Sequence, residues 1–191
     1  MTPGDVPRIP LEFRPVTPER LSDLERFAAW HGKFRYCACM RWRMTSTQFR
    51  DSTPPERLAA LAALVRAGTP IGILGYAAGE PVAWCSVAPR ETYAALERYR
   101  ALPRLDAAPV WSIACFFVAS RYRRRGVTLA LLRAAVDYAH SQGARIVEGY
   151  PVEPGSASYT YMGSPETFRR AGFRDVTRKG QSRPVMRWAA E

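Results

Sequence analysis

The stretch that decides the fold runs from residue 109 to residue 152 and reads PVWSIACFFVASRYRRRGVTLALLRAAVDYAHSQGARIVEGYPV. Its first ten residues (109–118) form a continuous apolar run rich in aromatic and branched side chains, which is typical of a strand covered on both faces. An amphipathic helix is predicted over about 126–142, with Gly143 at the C′ position, and residues 145–152 again read as a strand. Strand, helix and strand in this order predict a βαβ unit with a right-handed crossover and the first strand at the centre of the sheet.

Two further helices are predicted before this unit. Thr17 followed by Pro18 is typical of a helix start, and the helical pattern continues to Gly32. The sequence T-x-x-E at 53–56 predicts a capping box, and the apolar helix that follows it ends at Gly68.

The remaining patterns predict strands and short helices. Over 71–88 the hydrophobic period changes, which predicts an antiparallel hairpin with the turn residues Gly79 and Glu80. Residues 91–102 predict a helix or an ordered connection. We also expect an extended start at 11–16, a short helix from Ser164 to Gly172, a flexible loop at 153–158, and strands within 173–179 and 183–188. The fold class is therefore α/β with a mixed sheet.

Length and composition narrow the class of protein. The 191 residues fit one ordinary domain, and we expect residues 1–191 to form a single one. No apolar run reaches the length of a membrane span, and the opening MTPGDVPRIP lacks the basic and apolar regions of a secretory signal. Four cysteines are too few for a disulfide scaffold in a chain of this length. These features predict a cytoplasmic protein with reduced thiols.

The formal net charge is +11, and nearly all of the positive residues are arginines, because the only lysines are Lys33 and Lys179. A GC-rich coding bias would produce part of this arginine without any functional demand. A basic balance favours anionic partners such as phosphorylated cofactors, nucleic acids or acidic surfaces. The position of the charge along the chain must therefore decide between them.

Four arginines, Arg121 and 123–125, precede the predicted helix at 126–142. A helix N-terminus leaves its first N–H groups without intrahelical partners and carries partial positive charge, so it can bind an anion. Gly126 lets a diphosphate approach the backbone closely, and arginines donate charge-assisted hydrogen bonds to phosphate oxygens. The alternative is a solvated loop in an arginine-rich protein. The order of strand, arginine turn, glycine and helix favours the phosphate site.

The segment FFVASRYRRRGVTLALLRAAVDYAHSQGA (116–144) resembles the signature segment of the GNAT acetyltransferase superfamily. In that family an apolar strand leads into Q/R-x-x-G-x-G/A, at the start of a helix that binds the pyrophosphate of acetyl-CoA. The motif is represented here by Arg123, Arg124, Arg125, Gly126, Val127 and Thr128. Thr128 departs from the preferred Gly or Ala. The order of elements along the chain, including the closing FRRAGFRDV (168–176), is also similar to the family.

The resemblance implies a GNAT-like, mostly antiparallel sheet and a central βαβ unit flanked by helices. It also implies acetyl-CoA as cosubstrate, no metal, and transfer of the acetyl group to a primary amine by direct attack in a ternary complex. The backbone of Phe116 and Val118, on either side of Phe117, is then expected to pair with the pantetheine arm like an added strand. A nearby N–H group on this strand would polarise the thioester carbonyl.

The groups that move protons are less clearly marked. Relatives often place a Tyr four residues before the closing Gly-Phe, and this chain has Phe168 there. Tyr159 and Tyr161 are the nearest candidates for the proton donor; the alternative is a hydroxyl satisfied on a loop and a packed ring. Glu148 is the only carboxylate in the apolar strand after the helix. It is a candidate general base, and the alternative is an inward acid tied to an arginine.

The segment HGKFRYCACMRWRM (31–44) contains a second group of reactive side chains. A zinc site formed by His31, Cys37 and Cys39 is not expected, because C-x-C is shorter than the usual spacing and no second pair is present. A thiol beside an arginine could be reactive, since a nearby cation lowers its pKa. The alternative is that these cysteines are packing groups in a segment that helps to wall the acceptor cleft. Cys115, on the central strand, reads as core packing.

Two other functions compete with acetyl transfer. Basic and aromatic residues would suit a nucleic-acid-binding module, but the charge is spread along the chain and no RRM, KH or helix-turn-helix signature is present. Phe168 favours a catalytically silent GNAT-like domain that binds CoA as a sensor. For the enzyme, a small-molecule or protein amine is the expected acceptor, with neither membrane nor nucleic acid as a partner. An exposed strand edge or the segment RWRM (41–44) offers a surface for a homodimer.

Overall fold

A computed structural model describes residues 10–153 and 155–190. The opening segment at 1–9 lies outside the described residues, and so does Pro154 in the loop predicted at 153–158. One mixed sheet of seven strands organises the structure, in the order β1-β2-β3-β4-β5-β7-β6. The strands are β1 (Glu12–Pro15), β2 (Ile73–Ala77), β3 (Glu80–Pro89), β4 (Trp111–Val118), β5 (Ile146–Gly149), β6 (Arg174–Asp175) and β7 (Met186–Ala189).

All neighbouring strands pair antiparallel except β4 and β5, which are parallel. The strand β4 is the fourth of seven, so the predicted central strand and the mixed, mostly antiparallel sheet are confirmed. The βαβ unit is formed by β4, the helix Val127–Ser141 and β5. Its helix ends as the sequence predicts, because Gly143 has the left-handed φ of 88° that is favourable for glycine.

Seven α-helices cover the two faces of the sheet over the described residues. They are α1 (Leu21–Trp30), α2 (Gly32–Cys37), α3 (Ser46–Asp51), α4 (Pro54–Arg66), α5 (Ala94–Glu97), α6 (Val127–Ser141) and α7 (Pro165–Arg170). The apolar side of α6, with Leu131 and Ala135, packs against β3 and β4 on one face. On the other face, Phe27 and Leu61 from α1 and α4 pack around Trp84. Both faces of the central strands are therefore buried.

The two early helices differ in how closely they follow the prediction. The capping box is confirmed, since Thr53 accepts from the Glu56 N–H while the Glu56 carboxylate accepts from Thr53. Thr17 makes no capping hydrogen bond through its side chain, and residues 18–20 form a 3-10 turn before α1. The helix also does not continue to Gly32. At His31 the backbone leaves the helical region, with φ −125° and ψ 86°, and α2 begins at the next residue.

Other boundaries also need correction. The hairpin turns at Ala78 and Gly79, and Glu80 already belongs to β3. Both turn residues have positive φ (49° and 78°), the combination whose twist matches that of the flanking strands. Residues 91–102 contain only part of a 3-10 turn and the four-residue α5. The strand predicted at 145–152 is shorter, because β5 stops pairing after Gly149.

The pairing of β5 with β4 ends next to an irregularity in β4. In the antiparallel register Ser86 faces Cys115 and Val87 faces Ile113, so Ala114 is an extra residue and forms a β-bulge. On the opposite edge, β4 pairs with β5 at three positions only, the last being Ile113 with Gly149. The second half of β4 therefore keeps β3 as a neighbour, and no strand of the described residues lies on its other edge.

None of the described helices combines the length and the apolar character that a bilayer crossing requires.

Candidate functional site

A cavity of about 680 Å³ opens where β4 and β5 separate. One wall is formed by residues 115–118 of β4, and the opposite wall by Val152 and Glu153, which follow β5. The sides of the cavity are closed by α2 and by the start of α7, which contributes Ser164 and Thr167. The gap is thus a consequence of the bulge and of the short β4–β5 pairing.

The edge of β4 that faces this gap can be identified from two hydrogen bonds. Ala119 N–H donates to the Val82 carbonyl of β3 at 2.9 Å, whereas the Val118 carbonyl accepts from Arg123 Nε at 2.8 Å. Since backbone groups of successive residues in a strand point to opposite edges, Val118 and Phe116 direct theirs away from β3 and toward the gap. Their side chains pack toward α6, while Phe117 lies on the opposite face against Phe27.

The turn before α6 has the conformation that brings backbone N–H groups together. Gly126, at the N-cap, has a left-handed φ of 74°, and Arg124 has one of 58°. The first intrahelical bond is donated by Ala130 N–H to the Gly126 carbonyl at 3.1 Å. The N–H groups before Ala130 therefore lack intrahelical partners. A cavity of about 170 Å³ lies against them, lined by Val127 and Thr128 among others.

This smaller cavity and the gap beside β4 share the residues Arg123, Thr128 and Thr167. The two spaces therefore adjoin, and together they run from the helix N-terminus into the sheet. A Cβ on Gly126 would meet no atom within 4 Å, so open space lies in front of the turn.

The four arginines of the turn do not share one role. Arg123 lines both cavities and is held by its bond to the Val118 carbonyl, and Arg124 lines the smaller one. Arg121 lies over the ring of Tyr122 and lines a separate cavity of about 260 Å³ beside Trp30 and His31. Arg125 is exposed and lines neither of the first two cavities.

The predicted proton donors lie in a 3-10 turn between β5 and α7. Tyr161 lines the large cavity, and burial raises its pKa well above the usual tyrosine range, with a further rise from nearby Cys115. Its hydroxyl stays protonated at neutral pH, as that of an ordinary tyrosine does, and the higher pKa makes it a weaker acid. Tyr159 is not among the residues that line the cavity. Its ring stacks on Trp42, and a hydrogen bond with Tyr99 raises its pKa.

The surroundings of Glu148 match the alternative to a general base, which is an inward acid tied to an arginine. The side chain is only 1% exposed and is not among the residues that line the cavity. Its Oε2 accepts from Arg90 at 3.2 Å and from the Tyr150 hydroxyl at 2.8 Å, and its Oε1 accepts from Arg187 at 2.7 Å. Glu148 is therefore an inward acid tied to arginines, and nothing in this arrangement leaves it free to approach a substrate.

Sequence reasoning missed several residues of the cavity. Glu153 is the only carboxylate among the described residues that line it, and Lys33, Thr160, Ser164 and Thr167 also contribute. Glu153 lies in the loop after β5, where no periodic pattern indicates which side chains face inward. Its proximity to the predicted strand end was the only available signal.

Three cysteines line the large cavity. Cys37 and Cys39 come from the end of α2, and Cys115 comes from β4. Burial raises the pKa of Cys37 to about 11, and a hydrogen bond with Cys39 together with burial raises that of Cys115. Neutral thiols of this kind are packing groups and poor nucleophiles. Among the described residues, no group of three or more His, Cys, Asp or Glu side chains could hold a metal ion.

Phe168 fills the position at which relatives often carry tyrosine. Its ring is fully buried against Phe173 and Phe116 and covers Gly149, where an added Cβ would overlap it. The ring therefore packs α7 onto the end of β5 and supplies no hydroxyl to the cavity.

Known proteins resemble this chain in sequence pattern and in fold. The Acetyltransferase (GNAT) family model matches residues 36–156. The PaiA N-acetyltransferase of Thermoplasma acidophilum, solved with coenzyme A, is 12% identical, and the match covers 95% of this chain and 99% of that one at a TM-score of 0.53. The NAA60 protein of Arabidopsis thaliana, solved with acetyl-CoA, is 19% identical, with coverages of 95% and 100% and a TM-score of 0.52.

The chain also matches 33% of the length of a GCN5-related N-acetyltransferase from Kribbella flavida, at 18% identity over 87% of this chain and a TM-score of 0.48. No curated protein sequence gives a significant match. At these identities the structural likenesses show a shared fold and no more.

Proposed function

Because this chain belongs to the acetyltransferase (GNAT) family, we propose that it transfers the acetyl group of acetyl-CoA to the nitrogen of a primary amine, by direct attack within a ternary complex. The observation that carries this proposal is the pair of adjoining cavities that share Arg123, Thr128 and Thr167. Acetyl-CoA has the matching shape, with a diphosphate near one end and a long arm that ends in the thioester.

The residues of the two cavities fit this cosubstrate. In the proposed complex the diphosphate lies on the N–H groups at 126–129, with Arg123 and Arg124 donating to its oxygens and the Thr128 hydroxyl beside it. The pantetheine arm pairs with the gap-facing backbone of Phe116 and Val118 as an added strand. This mode of binding is supported by the edge of β4 beyond Ile113, which no strand within 10–153 or 155–190 covers.

The thioester is then expected beside the bulge, near Ala114 and Cys115. The acceptor nitrogen attacks the carbonyl carbon and forms the new C–N bond, and collapse of the tetrahedral intermediate breaks the C–S bond. A backbone N–H group of β4 near the bulge stabilises the oxyanion in this scheme. Fixed donors of this type cost no reorganisation during the reaction, so they are proposed as the main electrostatic contribution of the protein.

Two side chains are proposed to move the protons. Tyr161 donates one to the leaving thiolate, a role that is supported by its place on the cavity wall. Glu153 attracts the ammonium group of the acceptor and removes its proton, the role for which Glu148 was considered. Glu148 instead supports the site by holding β5 against β7 through Arg187. Tyr159 is proposed to line the acceptor side, next to Tyr161.

The cellular setting is proposed on the state of the cysteines. All four are free thiols, and Cys39 and Cys85 are buried. Reduced cysteines are typical of the cytoplasm, where we place the activity. A small-molecule or protein amine is the proposed acceptor.

The test is titration of CoA and acetyl-CoA into the protein by calorimetry, with a matched pair of glycine variants at the two ends of α6. Gly126→Ala and Gly143→Ala both place a side chain on a left-handed residue in open space. We expect both to lose about 1–2 kcal/mol of stability. Only Gly126→Ala should weaken CoA binding, by about tenfold or more. Failure of the unmodified protein to bind CoA would overturn the proposal.

One observation favours the sensor function as a second candidate, namely the phenylalanine at position 168. Release of free thiol from acetyl-CoA, measured against a panel of amines, distinguishes the two. An enzyme releases thiol at a rate that rises with the concentration of one of the amines. A protein that binds CoA and releases none with any amine is a sensor.

A further inference from the structure

A group of aromatic and cationic side chains adjoins the large cavity at Tyr161. We call it the Tyr159 patch and define it as Arg41, Trp42, Tyr99, Tyr159 and Arg183. Its contact with the cavity is Tyr161, whose ring lies edge-on to Tyr159 with the centroids 6.0 Å apart. The patch is therefore connected to the large cavity through Tyr161, the proposed proton donor.

The aromatic part of the patch offers flat apolar surface. Trp42 stacks on Tyr159 with the ring centroids 5.7 Å apart and an interplanar angle of 30°, and Tyr99 lies 5.2 Å from Trp42. Tyr99 and Tyr159 are half-buried, whereas Trp42 is buried. The surface accordingly remains accessible at the two tyrosines, although it is attached to the core through the tryptophan.

The cationic part of the patch has unused hydrogen-bond donors. Arg183 Nη2 donates to the Tyr150 carbonyl at 2.9 Å, and its guanidinium carbon lies 4.7 Å from the centre of the Tyr159 ring. Its Nε and Nη1 are buried and have no hydrogen-bond partner among the described residues, and the same holds for Trp42 Nε1. These groups can only donate, so they require an acceptor.

The positive charge of the patch is also unpaired. Neither Arg41 nor Arg183 forms an ion pair with a carboxylate of the described residues, whereas Arg90 and Arg187 both do. The guanidinium carbon of Arg41 lies 5.9 Å from the centre of the Trp42 ring, which places this cation beside the aromatic part of the patch. Arg41 and Arg183 are half-buried, but two nitrogens of Arg183 are buried without a partner, and a ligand carboxylate would give them both an acceptor and a counter-charge.

We propose that the Tyr159 patch binds a carboxylate on the acceptor, so that the amine acetylated by this protein is an amino acid or peptide that carries a carboxylate and an apolar, aromatic side chain. The inference rests on the proposed function, since it concerns the acceptor of the same reaction. Arg183 binds the carboxylate and the rings receive the side chain. A polyamine or other polycationic acceptor is disfavoured, because two unpaired guanidinium groups would repel it.

The test compares two probes that differ only in the carboxylate, N-acetyl-L-phenylalanine and N-acetyl-L-phenylalaninamide. Neither contains a free amine, so amine protonation does not affect the comparison. We titrate each by calorimetry into the full-length protein, with and without CoA. We expect the acid to bind about tenfold or more tightly than the amide, because hydrogen bonds to charged groups are the strong ones.

The variants then assign the preference to the patch. Arg183→Met should abolish it and Arg183→Lys should retain part of it. Arg178→Met, which removes an arginine from the same loop, should leave it unchanged. Equal binding of acid and amide, no binding of either, or a preference that survives in Arg183→Met would overturn the inference. If Arg183→Met does not fold, as judged by thermal unfolding, Arg183→Lys decides instead, and a preference as large as that of the unmodified protein would then overturn the inference.

A separate CoA titration keeps the two proposals distinguishable. A protein that binds no CoA but prefers the acid probe contradicts the proposed function and retains the carboxylate site. A protein that binds CoA and shows no preference between the probes retains the function and loses the carboxylate site.

Discussion

Phe168 and Tyr161 show how the roles of two aromatic residues are separated in this protein. The ring of Phe168 covers Gly149 so closely that a Cβ there would overlap it, so this position serves the packing of α7 on β5. Tyr161 is anchored in a 3-10 turn and reaches the cavity from the opposite side of the gap. The proton donor that relatives often supply from a helix is proposed here to come from a loop.

We predict that Tyr161→Phe lowers kcat by about a hundredfold, the usual contribution of a positioned general acid, while CoA affinity changes little. The reason is that the hydroxyl acts only on the leaving sulfur. The measurement is steady-state acetylation followed by thiol release, beside calorimetric titration with CoA. Tyr138→Phe is the control, because burial raises the pKa of that tyrosine too, but it packs on Trp111 away from the cavity.

The pH dependence of the same rate gives a second check. Since burial raises the pKa of Tyr161 above the ordinary tyrosine value of 10, the acid remains protonated below pH 10. We therefore expect no fall in kcat from loss of this proton between pH 7 and pH 10. A wild-type rate that survives in Tyr161→Phe would exclude the assignment.

At the scale of elements, Glu148 connects three strands at the centre of the sheet. It lies on β5, while Arg90 follows the end of β3 and Arg187 belongs to β7. Arg90 continues the network to Glu97, and Arg187 continues it to Asp106. The second half of the sheet, where β4 and β5 share only three paired positions, is thus held together by buried ion pairs as well as by backbone bonds.

We predict that Glu148→Gln lowers the free energy of unfolding by about 3–5 kcal/mol, because it leaves buried guanidinium groups without their counter-charge. Urea denaturation is the measurement. Asp51→Asn, which breaks the exposed pair with Arg50, should cost less than about 1 kcal/mol. If Glu148 were instead the general base, the variant would keep its stability and lose only kcat, and that result would contradict the structural role.

At the scale of the whole molecule, three arginines place their positive charge inside the fold. Arg57 is only 4% exposed and donates to the carbonyls of Tyr36, Phe49 and Ser52. Arg90 is buried as well, and Arg43 lies 4.2 Å from the centre of the Tyr93 ring. Arg57 donates hydrogen bonds to backbone carbonyls in the core, and Arg90 donates to carboxylates there. Part of the basic character behind the net charge of +11 therefore has a structural role.

Acid pH is predicted to destabilise the protein through its arginine-paired carboxylates. The hydrogen bond from Arg187 lowers the pKa of Asp106 below its ordinary value of 3.8. A carboxylate with a depressed folded pKa contributes stability above its unfolded pKa and loses it as the pH falls through the folded value. Protonation also adds to a net charge that is already positive, which increases self-repulsion.

We therefore expect the urea midpoint to fall between pH 5 and pH 3, and to fall less steeply in Asp106→Asn, which has no proton to take up. Midpoints at pH 7, 5 and 3 for both proteins provide the measurement. Parallel curves would show that Asp106 does not contribute.

The features that could be predicted from the sequence are those that depend on residues close together in the chain. The apolar run at 109–118 indicates a central strand, and the T-x-x-E sequence at Thr53 indicates a helix start, because the required contacts are formed within a few residues. The break of the first helix at His31 and the early end of β5 have no such signal. Both depend on how the chain packs against distant elements, which is also why Glu153 was missed.

By itself, the sequence determined the βαβ unit, the glycine turn at 126 and the family to which the chain is related, since hydrophobic period, capping and backbone freedom are properties of neighbouring residues. Only the tertiary structure decided which side chains meet. The carboxylate of Glu148 is held by arginines 58 and 39 residues away in the chain, and Tyr161, not Tyr159, reaches the cavity. Contacts of this kind depend on the bulge at Ala114 and on the separation of β4 from β5, which no local pattern specifies.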